Sequence, residues 1–337
     1  MRVAAFTELI GPEGVTIEDV ADPEPGPGEA VVDVEACAIN RHDLWILEGD
    51  SAMVDAADLP FVSGLDVAGV VERVGEGAAV EPGDRVVLCP NETCGTCRYC
   101  REGPENRCEE FSLYHGGLAE KALVAADRLV RLPDDVGAID AAALPTAYVT
   151  AWHMIRRAGI DPGDLVLVPG ATGGVGVASI QLLDVFGARS IGTSRSAEKL
   201  DRVADLGADH TIRTDDPGEM ADETLEIGEP AAVLNHVGGG GYTEAGLRTL
   251  ERGGRLVICG RTAGDVGEIP LGPFFLSHHR VIGSTMGTQT DLERLVELVA
   301  DGALEPVVGD EFGLEGTADA FATMRDRDAF GKLVIRP

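Results

Sequence analysis

The chain has 337 residues, 44% of them hydrophobic, which excludes a disordered tail or a disulfide-stapled mini-protein and supplies enough apolar material for two ordinary domains. Its 27 Lys and Arg face 58 Asp and Glu, for a formal net charge of −31. Such a field repels phosphate backbones and anionic headgroups, so nucleic acid and membrane surfaces are excluded as partners.

Lys121, Lys199 and Lys332 are its only lysines. A lysine-poor, carboxylate-rich surface suits a halophile, whose high salt screens charge over a few ångströms; an acidic protein from ordinary salt fits the same count. The opening residues 1–8 lack the basic region and apolar stretch of a signal peptide, so a cytoplasmic location is expected.

Residues 1–146 read as short alternating strands punctuated by Gly and Pro: 31–36, 69–75, and a turn feeding a strand over 82–87. This predicts a β-rich, barrel-like module. Within it, over residues 89–110, Cys94-x2-Cys97-x2-Cys100-x7-Cys108 offers four soft ligands at knuckle spacing. They match one tetrahedral zinc and fill all its positions, which makes the site structural. An iron–sulfur cluster is the rival for the same thiolates. Cys37, Cys89 and Cys259 read as small buried apolar residues.

From 147 to 287 the pattern changes to apolar runs separated by helical segments. Strands are predicted at 165–168, 190–193, 232–235, 255–259 and 281–283, short and hydrophobic as buried parallel strands are. A helix is predicted from Ser196 to Leu206, stopped by Gly207. Residues 165–183 carry no charge and imitate a membrane span in length, but Pro169, Gly170, Gly173, Gly174 and Gly176 break the run into strand, turn and helix. No membrane segment is expected. The tail from 288 holds one amphipathic helix (292–299) and a last strand (331–335). It is too small to stand alone and is expected to rejoin the first module.

After the strand 165–168 comes Gly170-Ala171-Thr172-Gly173-Gly174-Val175-Gly176 and then an apolar helix. Glycines admit a pyrophosphate close to the backbone, and the helix start favours its charge. Ala171 replaces the first glycine of the usual fingerprint; strand before, helix after and a second strand about 20 residues on supply the context it needs. An NAD site ends that second strand in a carboxylate. Here it ends in Thr193-Ser194-Arg195-Ser196, so NADP(H) is expected, with Arg195 and Lys199 on the 2′-phosphate and Ser194 as a donor. A surface salt bridge is the other use Arg195 has.

Taken together, residues 64–71, 82–86, the cysteine lobe, residues 141–145 with Thr150-Ala151, the glycine turn, residues 253–255, 283–286 and Gly331-Lys332 resemble the medium-chain dehydrogenase/reductase superfamily nearly end to end. The resemblance implies an α/β protein: a discontinuous GroES-like catalytic domain (1–146 and 288–337) interrupted by a Rossmann doubly wound parallel-sheet domain (147–287), with the active site in the cleft between them. It also implies pairing into a homo-oligomer, dimer or tetramer, through the last Rossmann strands near 275–286.

Departures from that family carry the functional expectation. Its zinc alcohol dehydrogenases hold a catalytic zinc with a cysteine where this chain has Asn40, a histidine where it has Leu65 and commonly a cysteine where it has Thr146. A second zinc is therefore not expected. Residues 40–43 resemble instead the Asn-x-x-Asp stretch of zinc-free quinone oxidoreductases. Without a Lewis acid at the reacting oxygen, quinones and α,β-unsaturated carbonyls are the favoured substrates, because hydride addition spreads charge over a conjugated system.

Asn40, His42, Asp43 and Thr150 are the expected catalytic residues, with His42 first as proton donor and Tyr148 second. The nicotinamide is expected against Thr150, Asn40, Val237 and Cys259-Gly260, with His236, Met286 and Lys332 also near the cofactor. The other histidines, His115 among them, read as structural. Two alternatives stand beside this reading: an NAD(P) alcohol or aldehyde dehydrogenase with an unusual metal on Asp66, Asp43 and His42, and a dinucleotide-binding protein of low turnover.

Overall fold

The computed structural model describes residues 1–337, and the chain forms two compact units. One comprises Met1–Ala147 with Gly287–Pro337, the other Tyr148–Met286. The tail thus returns to the first unit.

In the first unit the alternating runs become a seven-stranded sheet. Its path runs Val308–Gly313, Lys332–Arg336, Glu29–Ile39, Asp66–Val74, Arg85–Leu88 and Leu129–Arg131, with Lys121–Ala125 also paired to Glu29–Ile39. The eleven residues of Glu29–Ile39 carry most of the pairing. Their inward Val32, Val34 and Cys37 pack with Phe6, Leu44, Val67, Leu88, Phe321 and Ile335, and burying that apolar area holds the sheet curved around one core. Register decides where the polar side chains meet. Ala38 lies opposite Asp66 on one side and Ile39 opposite Leu333 on the other. Asn40, Asp66 and Lys332 are therefore delivered to the same end of three adjacent strands.

The second unit is a six-stranded, fully parallel sheet. Its spatial order is His210–Arg213, Arg189–Ser194, Leu165–Val168, Ala232–Asn235, Arg255–Ile258 and Arg280–Gly283. In chain order that is 3-2-1-4-5-6, the doubly wound arrangement whose first βα turn binds dinucleotides. The strands at 165–168 and 232–235 have the bounds read from sequence, Arg255–Ile258 and Arg280–Gly283 differ by one residue at one end and Arg189–Ser194 by one at each end, as fraying ends do; His210–Arg213 has no counterpart in the sequence reading. The uncharged run 165–183 divides into the strand Leu165–Val168, a turn and the helix Gly174–Val185. No helix is long and apolar enough to cross a membrane.

Candidate active site

Asn40 and Thr146, two of the three positions compared above with zinc ligands, join Asp66 and Lys332 in a closed polar corner. Lys332 Nζ donates to Asp66 Oδ2 at 2.9 Å, to the Ile39 carbonyl at 3.0 Å and to Asn40 Oδ1. Asn40 Nδ2 donates to Asp66 Oδ2 at 2.9 Å and to the Ala38 carbonyl at 3.4 Å. Thr146, in the π-helical turn Leu144–Tyr148, donates to Asp66 Oδ1 at 2.6 Å. Burial pushes the Asp66 carboxyl above the usual range, opposed by Lys332, Thr146 and Asn40, and both its oxygens accept hydrogen bonds.

An ammonium has three N–H groups, a carboxamide two and a threonine one, and all six are spent inside the protein. No donor remains at this corner for a substrate oxyanion. Nor does the donor set fit a divalent metal, since Leu65 is a buried hydrocarbon and the corner already holds a cation within hydrogen-bond reach of Asp66 and Asn40. Lys332, expected near the cofactor, is here held by three protein acceptors, and Asp66, expected in the alternative metal site, is paired with it.

Asp43, expected among the catalytic residues, is also enclosed by protein partners. It is fully buried, three residues into the turn that opens the helix Arg41–Leu47. Its Oδ2 accepts from the Asn40 amide at 2.7 Å, and its Oδ1 accepts from Ser63 Oγ at 2.5 Å and the Gly64 amide at 3.1 Å. It clamps the helix start to the loop 61–64. Ser63 in turn lies 3.4 Å from His115 Nδ1, and the His115 ring stacks on that of His42 at 5.6 Å and 26°, with Phe61 edge-on at 5.0 Å. Burial lowers the pKa of both imidazoles, His115 to about 4 with the neighbouring His42 adding to the effect. Sequence reading missed His115, Ser63 and the Lys332–Asp66 pair. An isolated histidine and serine carry no spacing signal, and their meeting depends on how loops 61–64 and 114–118 fold back.

The cysteine lobe assembles as its spacing predicts. The Sγ atoms of Cys94, Cys97, Cys100 and Cys108 lie within 4.8 Å of one another, with separations of 3.5 Å (Cys97–Cys100 and Cys94–Cys108), 3.9 Å (Cys94–Cys100) and 4.0 Å (Cys97–Cys108). Four sulfurs at Zn–S of about 2.3 Å on a tetrahedron stand about 3.8 Å apart, so the residues fit that ion. Amides of Cys97, Cys94 and Glu110 point at the sulfurs at 3.3–3.4 Å, and donors from Thr96 and Cys97 lower the Cys94 thiol to about 6, toward the thiolate a metal needs. Cys37 and Cys89 are buried as expected, whereas Cys259 is half-buried.

In the second unit Gly170 has φ +69°, which only glycine adopts freely. A Cβ on Gly176 would fall 2.5 Å from the Gly170 carbonyl oxygen, whereas one on Gly173 would meet open space. The turn is thus closed on itself and vacant beside Gly173, at the start of the helix Gly174–Val185, as a pyrophosphate cradle requires. The missing first glycine has a structural compensation. Ala171 is buried and donates to the Thr193 carbonyl, and its methyl faces Gly192, where a Cβ would approach it to 3.1 Å.

Ser194 closes the second strand, Arg195 is exposed beside it, and Lys199 lies in the first turn of the helix Ala197–Asp205 capped by Ser196. His236 Nε2 meets the Gly170 carbonyl at 3.2 Å, while its buried Nδ1 has no partner. Asn235 fastens the loop at Val237 and Gly238 through its Oδ1, and Gly260 packs on the His236 carbonyl. His236, Val237, Cys259 and Gly260 thus gather behind the turn. Thr150 is buried, 4.0 Å from the Met286 sulfur. Tyr148 is core: it is fully buried and donates to Gln181 at 2.6 Å.

Comparison with known proteins agrees with both units. Residues 26–134 match the model of the alcohol dehydrogenase GroES-like domain and residues 174–301 that of the zinc-binding dehydrogenases. The chain is 32% identical over 332 residues to an acryloyl-coenzyme A reductase of Sulfurisphaera tokodaii, covering 96% of this chain and 97% of that one. It is 30% identical over 345 residues to an alcohol dehydrogenase of Geobacillus stearothermophilus, covering 100% and 99%. Among solved structures, an NAD-dependent alcohol dehydrogenase superposes with a TM-score of 0.92 at 35% identity, each chain covered completely.

Proposed function

Because this chain belongs to the medium-chain dehydrogenase/reductase superfamily, a family of oxidoreductases, we propose that it uses NADPH to reduce an α,β-unsaturated carbonyl or a quinone without a catalytic zinc. The observation that carries the reading is the closed corner of Asn40, Asp66, Thr146 and Lys332, which has neither a metal's donor set nor a free hydrogen-bond donor. A simple ketone or aldehyde concentrates charge on one oxygen that must be stabilised there, whereas a conjugated acceptor spreads it. The full-length likeness to an acryloyl-coenzyme A reductase supports the same chemistry.

The bound reduced dinucleotide supplies the hydride. The turn 170–176 holds its pyrophosphate on backbone amides, with Ser194, Arg195 and Lys199 around the 2′-phosphate, and Thr150, Val237, Cys259 and Gly260 bearing on the nicotinamide. The imidazole cluster at His42 supplies the proton. One zinc in the four-cysteine lobe keeps residues 89–110 in shape. Leu271, Phe275 and Leu276 are 69%, 63% and 62% exposed beside the outermost strand Arg280–Gly283, which supports self-association through that edge.

The test is a panel of enones, enoyl thioesters, quinones and alcohols with NADPH and NADH in molar salt, on wild type and Arg195→Ala. NADPH turnover with conjugated acceptors is expected, and the variant should raise the KM for NADPH about 10- to 100-fold, the worth of a charge-assisted hydrogen bond, while leaving that for NADH within about twofold. Preference for NADH with unconjugated alcohols would transfer the chain to the alcohol dehydrogenases, and NADPH binding without turnover of any substrate would leave it a dinucleotide-binding protein.

A further inference from the structure

The strand that ends at Ser194 has a neighbour that brings a further cation to the same place. Arg189–Ser194 and His210–Arg213 run parallel with Ser194 opposite Arg213, and the Thr214 amide donates to the Ser194 carbonyl at 3.0 Å. The last residue of one strand is thereby fixed beside the last of the other. Ser194 Oγ accepts from the Ser196 amide at 3.3 Å, which folds residues 194–196 into a tight turn and leaves the Ser194 hydroxyl hydrogen unspent. Against that turn lies the exposed Arg213, whose Nε donates to the Arg195 carbonyl at 3.3 Å.

That bond uses one of the five N–H groups of a guanidinium. The terminal nitrogens of Arg213 pair with no carboxylate, although the chain has 58 of them. The acids that follow it in sequence are turned to the helix Pro217–Ile227: Asp216 accepts from the Glu219 amide at 2.8 Å, and Glu219 accepts from Thr214 Oγ1. Elsewhere exposed arginines of this chain do find a carboxylate, as Arg248 finds Asp222 and Arg294 finds Glu297. Fastening the turn needs the Nε bond alone, so the two terminal nitrogens remain for an anion that arrives from outside.

The geometry points to Arg213 as a specificity-determining residue, which together with Arg195 and the Ser194 hydroxyl grips the 2′-phosphate of the dinucleotide from two adjacent strand ends. The proposal rests on the NADPH reading above and adds to it the cation supplied by the neighbouring strand. A phosphate monoester carries about two negative charges near neutral pH, which two guanidiniums match, and its oxygens accept the paired N–H groups of a guanidinium edge. A ribose with a free 2′-hydroxyl offers Arg213 no charge to pair. Arg213 therefore selects the dinucleotide and takes no part in hydride or proton transfer.

The experiment is calorimetric titration of the full chain with NADPH and with NADH, in the absence of substrate, for wild type, Arg213→Gln, Arg195→Ala and the double variant. Arg213→Gln should weaken NADPH binding about 10- to 100-fold, the worth of a charge-assisted hydrogen bond, and leave NADH binding within about twofold. The double variant should bind NADPH at least about tenfold more weakly than Arg195→Ala alone. NADPH affinity unchanged in Arg213→Gln, or weakened equally with that for NADH, overturns the proposal. So does a double variant no weaker than Arg195→Ala, because Arg213 would then act only by holding Arg195. Wild type that binds NADPH no more tightly than NADH overturns the NADPH reading and the proposal with it.

Discussion

Lys332 Nζ and Asp66 Oδ2 stand 2.9 Å apart at 3% and 0% exposure, joining positions 266 residues apart in the chain. Each charge is tolerable in the interior only because the other is there. The pair also sits at the end of the central strand, so it ties the carboxy-terminal strand Lys332–Arg336 to the rest of the sheet.

Lys332→Met should cost about 3–5 kcal/mol of unfolding free energy, because it strands a buried carboxylate. Lys332→Met combined with Asp66→Leu should recover most of that, as apolar replacement of a buried pair usually does. Urea titrations of the three proteins test this; a single variant as stable as wild type would show that the pair does not hold the corner.

The cysteine lobe should carry one zinc per chain. Cys100→Ser should abolish it and release residues 89–110 to proteolysis while the second unit keeps its dinucleotide affinity, since metal binding supplies the folding energy of such lobes. Elemental analysis with limited digestion decides the matter. A lobe that stays protected without metal would count against it.

Acid should weaken the fold through His115. Its folded-state pKa of about 4 lies below the unfolded value of about 6.5, so between those limits the unfolded chain binds more protons. The stabilisation is complete above about pH 6.5 and is lost as pH falls toward 4, on the order of 2 kcal/mol once the ring's partial exposure is discounted. His115→Gln should flatten the wild-type pH dependence of unfolding within that window. Parallel curves for the two proteins would refute the assignment.

Much of this molecule is legible in one dimension because the signals are local. Period-two runs such as residues 31–36, uninterrupted apolar runs such as Ala232–Asn235, and the glycine and cysteine spacings each report a structure completed within a few residues of itself. The replacement of Ala171 for a glycine is also visible there, but its compensation by Gly192 is not, because the two meet only when parallel strands lie side by side.

The amino-acid order alone therefore specifies a parallel dinucleotide-type sheet, a β-rich partner unit, a four-thiolate lobe and the loss of three metal-ligand positions, all of which depend on side-chain type and near-neighbour spacing. What fills the vacated corner, and which histidine gains a partner, depend on strand register and loop return across tens to hundreds of residues. Hydrogen bonds and ion pairs act over about three ångströms, and separation along the chain says nothing about which groups folding will bring that close.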